Sequence, residues 1–388
     1  MSELIARDKE YIAGTYARFP IAIVRGEGSL CYDEQGKEYI DMGSGIGVTA
    51  FGFADRDWCD AVTAQLGRVQ HTSNLYYTEP DVALAELLCR RTGMKKVFFS
   101  NSGAEANECA IKLARKYAAD KKGAEYNTIV TLKNSFHGRT LTTLAATGQE
   151  HYHELFQPLT PGFVHVTAGD LDELRQVVAT HKVAGMLIEC VQGEGGVIAL
   201  DEAYVKGVAE LAAREDFLLM IDEVQTGNGR TGELYAYMQY GITPDVVSTA
   251  KGLGGGLPIG ATLIGEKAER VLGFGDHGST FGGNPVCAAG AYSILSRIDE
   301  DLLAEVREKS RYVFEALSGK PGIKSVSGKG LMIGIETEKP AKDVVAALNA
   351  RGVLCLTAKH KVRLLPALNI PMEILKRAVE ELLAVAAE

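Results

Sequence analysis

Five apolar runs, "KKVFF", "NTIVTL", "AGMLIE", "FLLMI" and "DVVSTA", alternate with helical patterns between about residues 46 and 289 of this chain. Strands separated by helices close most readily into a largely parallel sheet, because parallel neighbours need crossovers and the crossover helices cover both faces. The predicted class is therefore α/β. In such sheets ligands bind beyond the carboxyl ends of the strands. Here every run breaks off into polar or glycine-rich text: "SNSGAEANE", "KNSFHGRT", "CVQGEGG", "DEVQTG", and Lys251 followed by "GLGGG". Five such endings point to one shared cleft.

The 388 residues have room for one large α/β domain and a smaller companion. The expected division is an N-terminal segment over 1–45 that joins the small domain, a large domain over 46–289, and a small α+β domain over 290–388. Residues 1–18 read as a helix. "IAIVRGEGSLCYDEQGKEYIDM" reads as a meander with a turn at "DEQG", and residues 290–318 as one long amphipathic helix. A net charge of −9 with no basic run argues against nucleic acid. No apolar stretch reaches the ~18 residues of a membrane span, and the N-terminus lacks the apolar core of a secretory signal. Seven scattered cysteines without a C-x-x-C pair read as reduced thiols, so a cytoplasmic protein is expected. His151 and His153 have no nearby carboxylate or cysteine to complete a metal site, so none is expected.

Lys251 precedes its glycines, which excludes a P-loop, and no G-x-G-x-x-G follows it. Ser102, Gly103 and Ala104 open a helix, and the first amides of a helix suit an anion. The plainer reading is a serine N-cap with no ligand. Asp222 ends a very apolar strand, where a carboxylate is costly unless a cation or donors meet it. A structural ion pair would also satisfy it. Asp222 and Lys251 end the two strands of one apparent strand–helix–strand unit, with "ELYAYMQYG" as its helix, and so should face one cleft. A lysine and an aspartate on either side of a ligand, beside a phosphate site, meet the needs of pyridoxal phosphate. The lysine forms the Schiff base and the carboxylate keeps the pyridine nitrogen protonated. The glycines after Lys251 would give the ring and the moving lysine room. Phe136 could cover the ring, with His137 close by, or simply pack in the core. Arg139 suits a substrate carboxylate. Ser279 and Thr280 sit in a loop that either donates hydroxyls to a phosphate or is a plain surface turn.

In this order and spacing, "SNSGAEANE", "FHGR", "VQGEGG", "DEVQTGNGRTG", "AKGLGGGLPIGA" and "HGSTFGGNP" resemble the class III aminotransferases that use pyridoxal phosphate. "DEQGKEYIDM" and "VRLLPAL" extend the likeness over essentially the whole chain. Within that class, "HTSNLYYTEP" and the compact length are most similar to the acetylornithine aminotransferases. The resemblance implies the aspartate aminotransferase-like fold type I, with a mainly parallel seven-stranded sheet. It implies that Lys251 is the Schiff-base lysine and Asp222 the pyridinium partner, within a cofactor-binding "DEVQ" segment of Asp222, Glu223, Val224 and Gln225. Gln225 would bond the phenolic oxygen. Ser102, Gly103 and Ala104 would hold the phosphate, helped by Thr280 from the other subunit of a homodimer. Phe136 would stack on the ring, with His137 beside it. Arg139, Ser279 and Tyr16 would meet the amino donor. Arg363 would hold the α-carboxylate of the keto acid, 2-oxoglutarate, and Glu194 would pair with Arg363 in the other half-reaction. Ornithine, succinylornithine and 4-aminobutyrate stay open as alternative donors, and an aminomutase as an alternative activity. Two positions depart from the pattern: Ala104 where many relatives have threonine, and Cys190 where many have proline.

Overall fold

The structure, a computed structural model, describes residues 3–388. Its centre is a sheet of seven strands: β1 (Lys96–Ser100), β2 (Thr128–Leu132), β3 (Phe163–Val166), β4 (Val183–Ile188), β5 (Leu218–Asp222), β6 (Val246–Thr249) and β7 (Gly260–Ile264). Their spatial order is β1-β7-β6-β5-β4-β2-β3. Only β7 runs against the rest, pairing antiparallel with both β6 and β1. Every residue of β2, β4, β5 and β6 is buried, which is why these strands read as unbroken apolar runs rather than as alternating ones. β5 and β6 are neighbours, with Asp222 opposite Ser248. Lys251 follows just past the end of β6.

The longest helix, α1 (Gly103–Lys122), begins at the end of β1. Its N-cap is Ser102, whose hydroxyl accepts the Glu105 amide at 3.2 Å. Glu105 reaches back to the Asn101 amide at 2.9 Å, so its start is held from both sides.

Two four-stranded sheets and a two-stranded one, Val191–Gln192 with Ile198–Ala199, accompany the seven-stranded sheet. The meander Ile23–Glu27, Leu30–Asp33 and Glu38–Asp41 takes Val353–Leu354 as a fourth strand, parallel to Glu38–Asp41. The N-terminal meander therefore pairs with a strand from the C-terminal part of the chain. The other four-stranded sheet is antiparallel and runs Ile323–Lys329, Met332–Thr337, Lys361–Leu364, Leu356–Ala358.

Several local expectations need correction. The helix read over 1–18 stops at Tyr11. The long helix read over 290–318 is two helices, Pro285–Arg297 and Glu300–Leu317. They part where the Asp299 carboxylate accepts the Leu302 amide at 2.9 Å and caps the second. The helix assigned to "ELYAYMQYG" is one short 3-10 stretch, Ala236–Tyr240. The strand Ile323–Lys329 escaped notice because its lysines, serines and glycine hide the apolar signal.

The glycines behind Lys251 do less at the cleft than expected. A Cβ on Gly255 would stand 2.9 Å from the Ile294 side chain and 3.0 Å from the Trp58 indole, at φ +62°. The same indole donates to the Gly254 carbonyl at 3.0 Å. Gly255 lets the loop pack against the helices that bear Ile294 and Trp58, whereas a Cβ on Gly254 would stand 2.2 Å from the Leu257 carbonyl oxygen of the same loop; of the four only Gly256 borders the cleft. Gly255→Ala therefore strains both backbone and packing. It should destabilise the fold by about 1–3 kcal/mol, read as a lower denaturation midpoint; an unchanged midpoint would contradict this packing role.

Candidate active site

A cleft of about 580 Å³ opens at the carboxyl ends of the strands. The segments that follow β1, β2, β4, β5 and β6 all reach it, contributing Asn101–Ala104, Phe136–Arg139, Glu189, Asp222 with Val224–Thr226, and Ala250–Lys251. The five strand endings thus share one cavity. Tyr16 borders it from the N-terminal segment while remaining largely exposed.

Asp222 sits at its floor, 3% exposed. Its Oδ2 accepts from Asn107 Nδ2 and from His137 Nδ1, each at 2.8 Å, and its Oδ1 accepts from the Val224 amide at 3.0 Å. Asn107 also donates to the His137 carbonyl at 2.8 Å and accepts the Ser248 hydroxyl at 2.5 Å. One helix, two adjacent strands and the loop after β2 therefore converge on one carboxylate. His137 Nε2 is buried with no partner among the described residues.

Lys251 is held at φ +47°, a backbone region that a residue with a Cβ seldom adopts. Burial pushes its amine below the usual lysine range; Glu194 acts against this shift and Arg363 adds to it. No hydrogen bond or ion pair from its amine is found among the described residues. The amides of Gly103 and Ala104, the first two of α1, likewise have no internal acceptor. A Cβ on Gly103 would meet Val224 at 2.5 Å, so the Asp222–Gln225 turn packs directly against the helix start.

On one flank Arg363, from the strand Lys361–Leu364, donates through Nη1 to Glu194 at 2.5 Å and to Gln225 at 3.1 Å. Gln225 donates in turn to Glu194 at 3.3 Å. Burial pushes the Glu194 carboxyl up, but the charge and hydrogen bond of Arg363 outweigh it and leave it lowered. On the other flank Arg139 is exposed. Its guanidinium lies 4.4 Å from the Tyr152 ring centroid and 5.8 Å from that of Phe136. No carboxylate pairs with it among the described residues.

The remaining expected residues lie elsewhere. The Glu223 side chain is fully buried on the Thr226 hydroxyl and the Tyr237 amide, and does not line the cleft. Burial raises its carboxyl to about 7. Ser279 and Thr280 stand outside this chain's own cleft: Ser279 caps its loop by accepting the Gly282 amide at 2.9 Å, and Thr280 is exposed. Asn107, Ser248, Glu189 and Tyr152 carried no expectation. A polar residue five positions into a helix that starts at the cleft was the available signal for Asn107.

Residues 11–385 match the family model described as aminotransferase class-III. The chain belongs to that family. Over 383 residues, 98% of each chain, it is 51% identical to the acetylornithine aminotransferase of Haemophilus ducreyi. It is 44% identical to the succinylornithine transaminase of Citrobacter koseri, over 96% of this chain and 95% of that one. Among solved structures, the ornithine aminotransferase of Toxoplasma gondii superposes with a TM-score of 0.94 at 30% identity. The match covers 99% of this chain and 94% of that one, and that structure has partial occupancy of pyridoxal phosphate at its active site. The fold is thus the fold type I expected, and the protein is a transaminase that uses pyridoxal phosphate.

The residues present fit that cofactor. Unpartnered groups at the cleft include a lysine amine, two helix-terminal amides and a histidine nitrogen, with Asp222 opposite. Asn107→Ala would leave Asp222 short of a donor and the Ser248 hydroxyl without its acceptor. It should cost about 1–3 kcal/mol of stability, measured by denaturation of the cofactor-free protein; full stability would show that the network carries no load.

Proposed function

We propose that this transaminase moves the δ-amino group of N-acetyl-L-ornithine to 2-oxoglutarate, giving N-acetyl-L-glutamate 5-semialdehyde and L-glutamate. The observation that carries the reading is the contrast between the two arginines. Arg363, within electrostatic reach of Lys251, is closed off by Glu194 and Gln225, whereas Arg139 is open. A donor whose carboxylate lies far from its reacting amine suits this arrangement: Arg139 takes the carboxylate, and the reacting end meets no free cation beside Lys251. An α-keto acid has its carboxylate next to the reacting carbon. For that half-reaction Glu194 swings off Arg363, and the freed guanidinium binds the acid through its planar fork.

When bound, pyridoxal phosphate supplies the electron-accepting ring and carries the amino group between the two half-reactions. Lys251 would anchor it and Asp222 would hold its ring nitrogen. Gln225 would meet its phenolic oxygen, and Phe136 and His137 would border the ring. Ser102, Gly103 and Ala104 would take the phosphate. In the donor half-reaction Lys251 Nζ takes a proton from the donor's Cδ and returns it on the other side of the transfer. Its lowered basicity favours the neutral amine that this step needs. Tyr16, on the exposed N-terminal segment, closes the mouth over the donor.

The protein acts as a cytoplasmic homodimer in this reading. Leu75, Tyr76, Tyr77, Phe274 and Phe281 are exposed. Asn74 ties the first three to the Ser279–Gly282 loop through bonds of 3.0 and 2.8 Å to its carbonyls. A second copy covering this patch would receive Thr280 and Ser279 at its own cleft. The apolar patch supports the dimer. No helix among the described residues is long and apolar enough to cross a membrane.

The similarity to a succinylornithine transaminase and to an ornithine aminotransferase leaves succinylornithine and ornithine as competing donors. A panel of N-acetylornithine, succinylornithine, ornithine and 4-aminobutyrate with 2-oxoglutarate decides among them. N-acetylornithine should give the highest kcat/KM, and no turnover should occur without the keto acid. A preference for another amine would overturn the substrate, and turnover without any keto acid would indicate a mutase.

A further inference from the structure

Glu189 is a buried, chemically competent side chain in the cleft that the reaction as described does not use. It follows β4 directly, is 6% exposed and lines the cavity. Burial pushes its carboxyl up, and the bonds from the Phe136 and Gly193 amides act against that shift. Its two oxygens face two different loops. Oε2 accepts the Phe136 amide at 3.0 Å, in the loop after β2. Oε1 accepts the Gly193 amide at 3.2 Å, in the turn that carries Glu194.

Those loops also meet each other. Gln192 Nε2 donates to the Lys133 carbonyl at 2.9 Å. A Cβ on Gly195 would stand 2.5 Å from the Asn134 carbonyl oxygen, and one on Gly193 would stand 2.5 Å from Gln225 Oε1. The turn bearing Glu194 is thus wedged between the Phe136 loop and Gln225, with the Glu189 carboxylate inside the fork. A carboxylate can accept on both oxygens at once. A glutamine of the same shape accepts on one and sets its NH2 against the other amide.

We propose that Glu189 is a positioning residue that clamps the Phe136 loop to the 193–195 turn, and so holds Glu194 on Arg363 during the amino-donor half-reaction. The proposal rests on the reading of Glu194 and Arg363 given above. Loosening the clamp should free Arg363 at the wrong time. A donor whose carboxylate adjoins its reacting amine, such as glutamate, should then lose less than N-acetylornithine does.

The test compares the Glu189→Gln, Glu189→Asp and Glu194→Ala holoenzymes with the parent in single half-reactions with N-acetylornithine and with glutamate. Circular dichroism confirms that each variant is folded. In Glu189→Gln, kcat/KM for N-acetylornithine should fall about tenfold or more, the scale of one lost hydrogen bond to a charged group. The ratio of the two kcat/KM values should move toward glutamate. Glu189→Asp keeps the charge but is one methylene too short to span both amides, so it should move the ratio the same way. The cofactor-free Glu189→Gln protein should also take up pyridoxal phosphate several-fold more weakly, because Phe136 has lost its tether.

A ratio moved by Glu194→Ala but unmoved in Glu189→Gln overturns the clamp alone. A ratio unmoved in both overturns the switch on which the clamp rests. A parent-like ratio in Glu189→Asp shows that charge, not span, is what matters, and overturns the clamp. So does parent-like cofactor affinity in Glu189→Gln.

Discussion

A carboxylate at the end of a fully buried strand is the costliest group in this fold to leave without partners. Asp222 is kept there by three donors from three elements, Asn107 on α1, His137 after β2 and the Val224 amide of its own turn. Those bonds fix more than one side chain. They set the start of α1 against the Asp222–Gln225 turn, bring the Phe136–Arg139 loop over the same floor, and join β5 to β6 through Ser248 and Asn107. Low dielectric makes each bond strong and each lost partner expensive, so the network defines a single arrangement.

From that floor the cleft is built with opposing chemistries. Lys251 stands just past the end of the adjacent strand, its amine desolvated and its backbone at positive φ. Arg363 is quenched by Glu194, and Arg139 has only aromatic rings for company. The Lys251 amine and the Arg139 guanidinium thus have no ion-pair partner among the described residues, whereas Arg363 is held by Glu194. In the proposed reaction two unlike substrates need one cation that can be switched and one that cannot; Arg363, paired with Glu194, and Arg139, with no carboxylate partner among the described residues, would fill those parts.

Much of this was legible from residue order. Unbroken apolar runs between helical patterns announce a parallel sheet, and the polar text after each run announces the cleft, because strand ends in such sheets converge. Asp222, Lys251, Phe136 and Arg139 could be named on that ground, and Gln225, Glu194 and Arg363 through the family likeness. What stayed hidden depends on side-chain direction or on contacts distant in sequence. Glu223 adjoins Asp222, but it lies past the strand's end and its carboxylate is buried on Thr226 and Tyr237, away from the cleft. Gly254 and Gly255 looked like space for a ligand, yet they answer to Trp58, nearly two hundred positions away in sequence. Glu189 looked like the last residue of an apolar run, and its two amide partners come from loops that meet only in the folded chain.

The central claim is that adjacent strands deliver Lys251 and Asp222 to opposite sides of one cofactor. Borohydride reduction of the holoenzyme, followed by digestion and mass spectrometry of the peptides, tests it most directly. The account predicts a reduced pyridoxal phosphate adduct on Lys251. An adduct confined to any other lysine, or none in an active preparation, would contradict it.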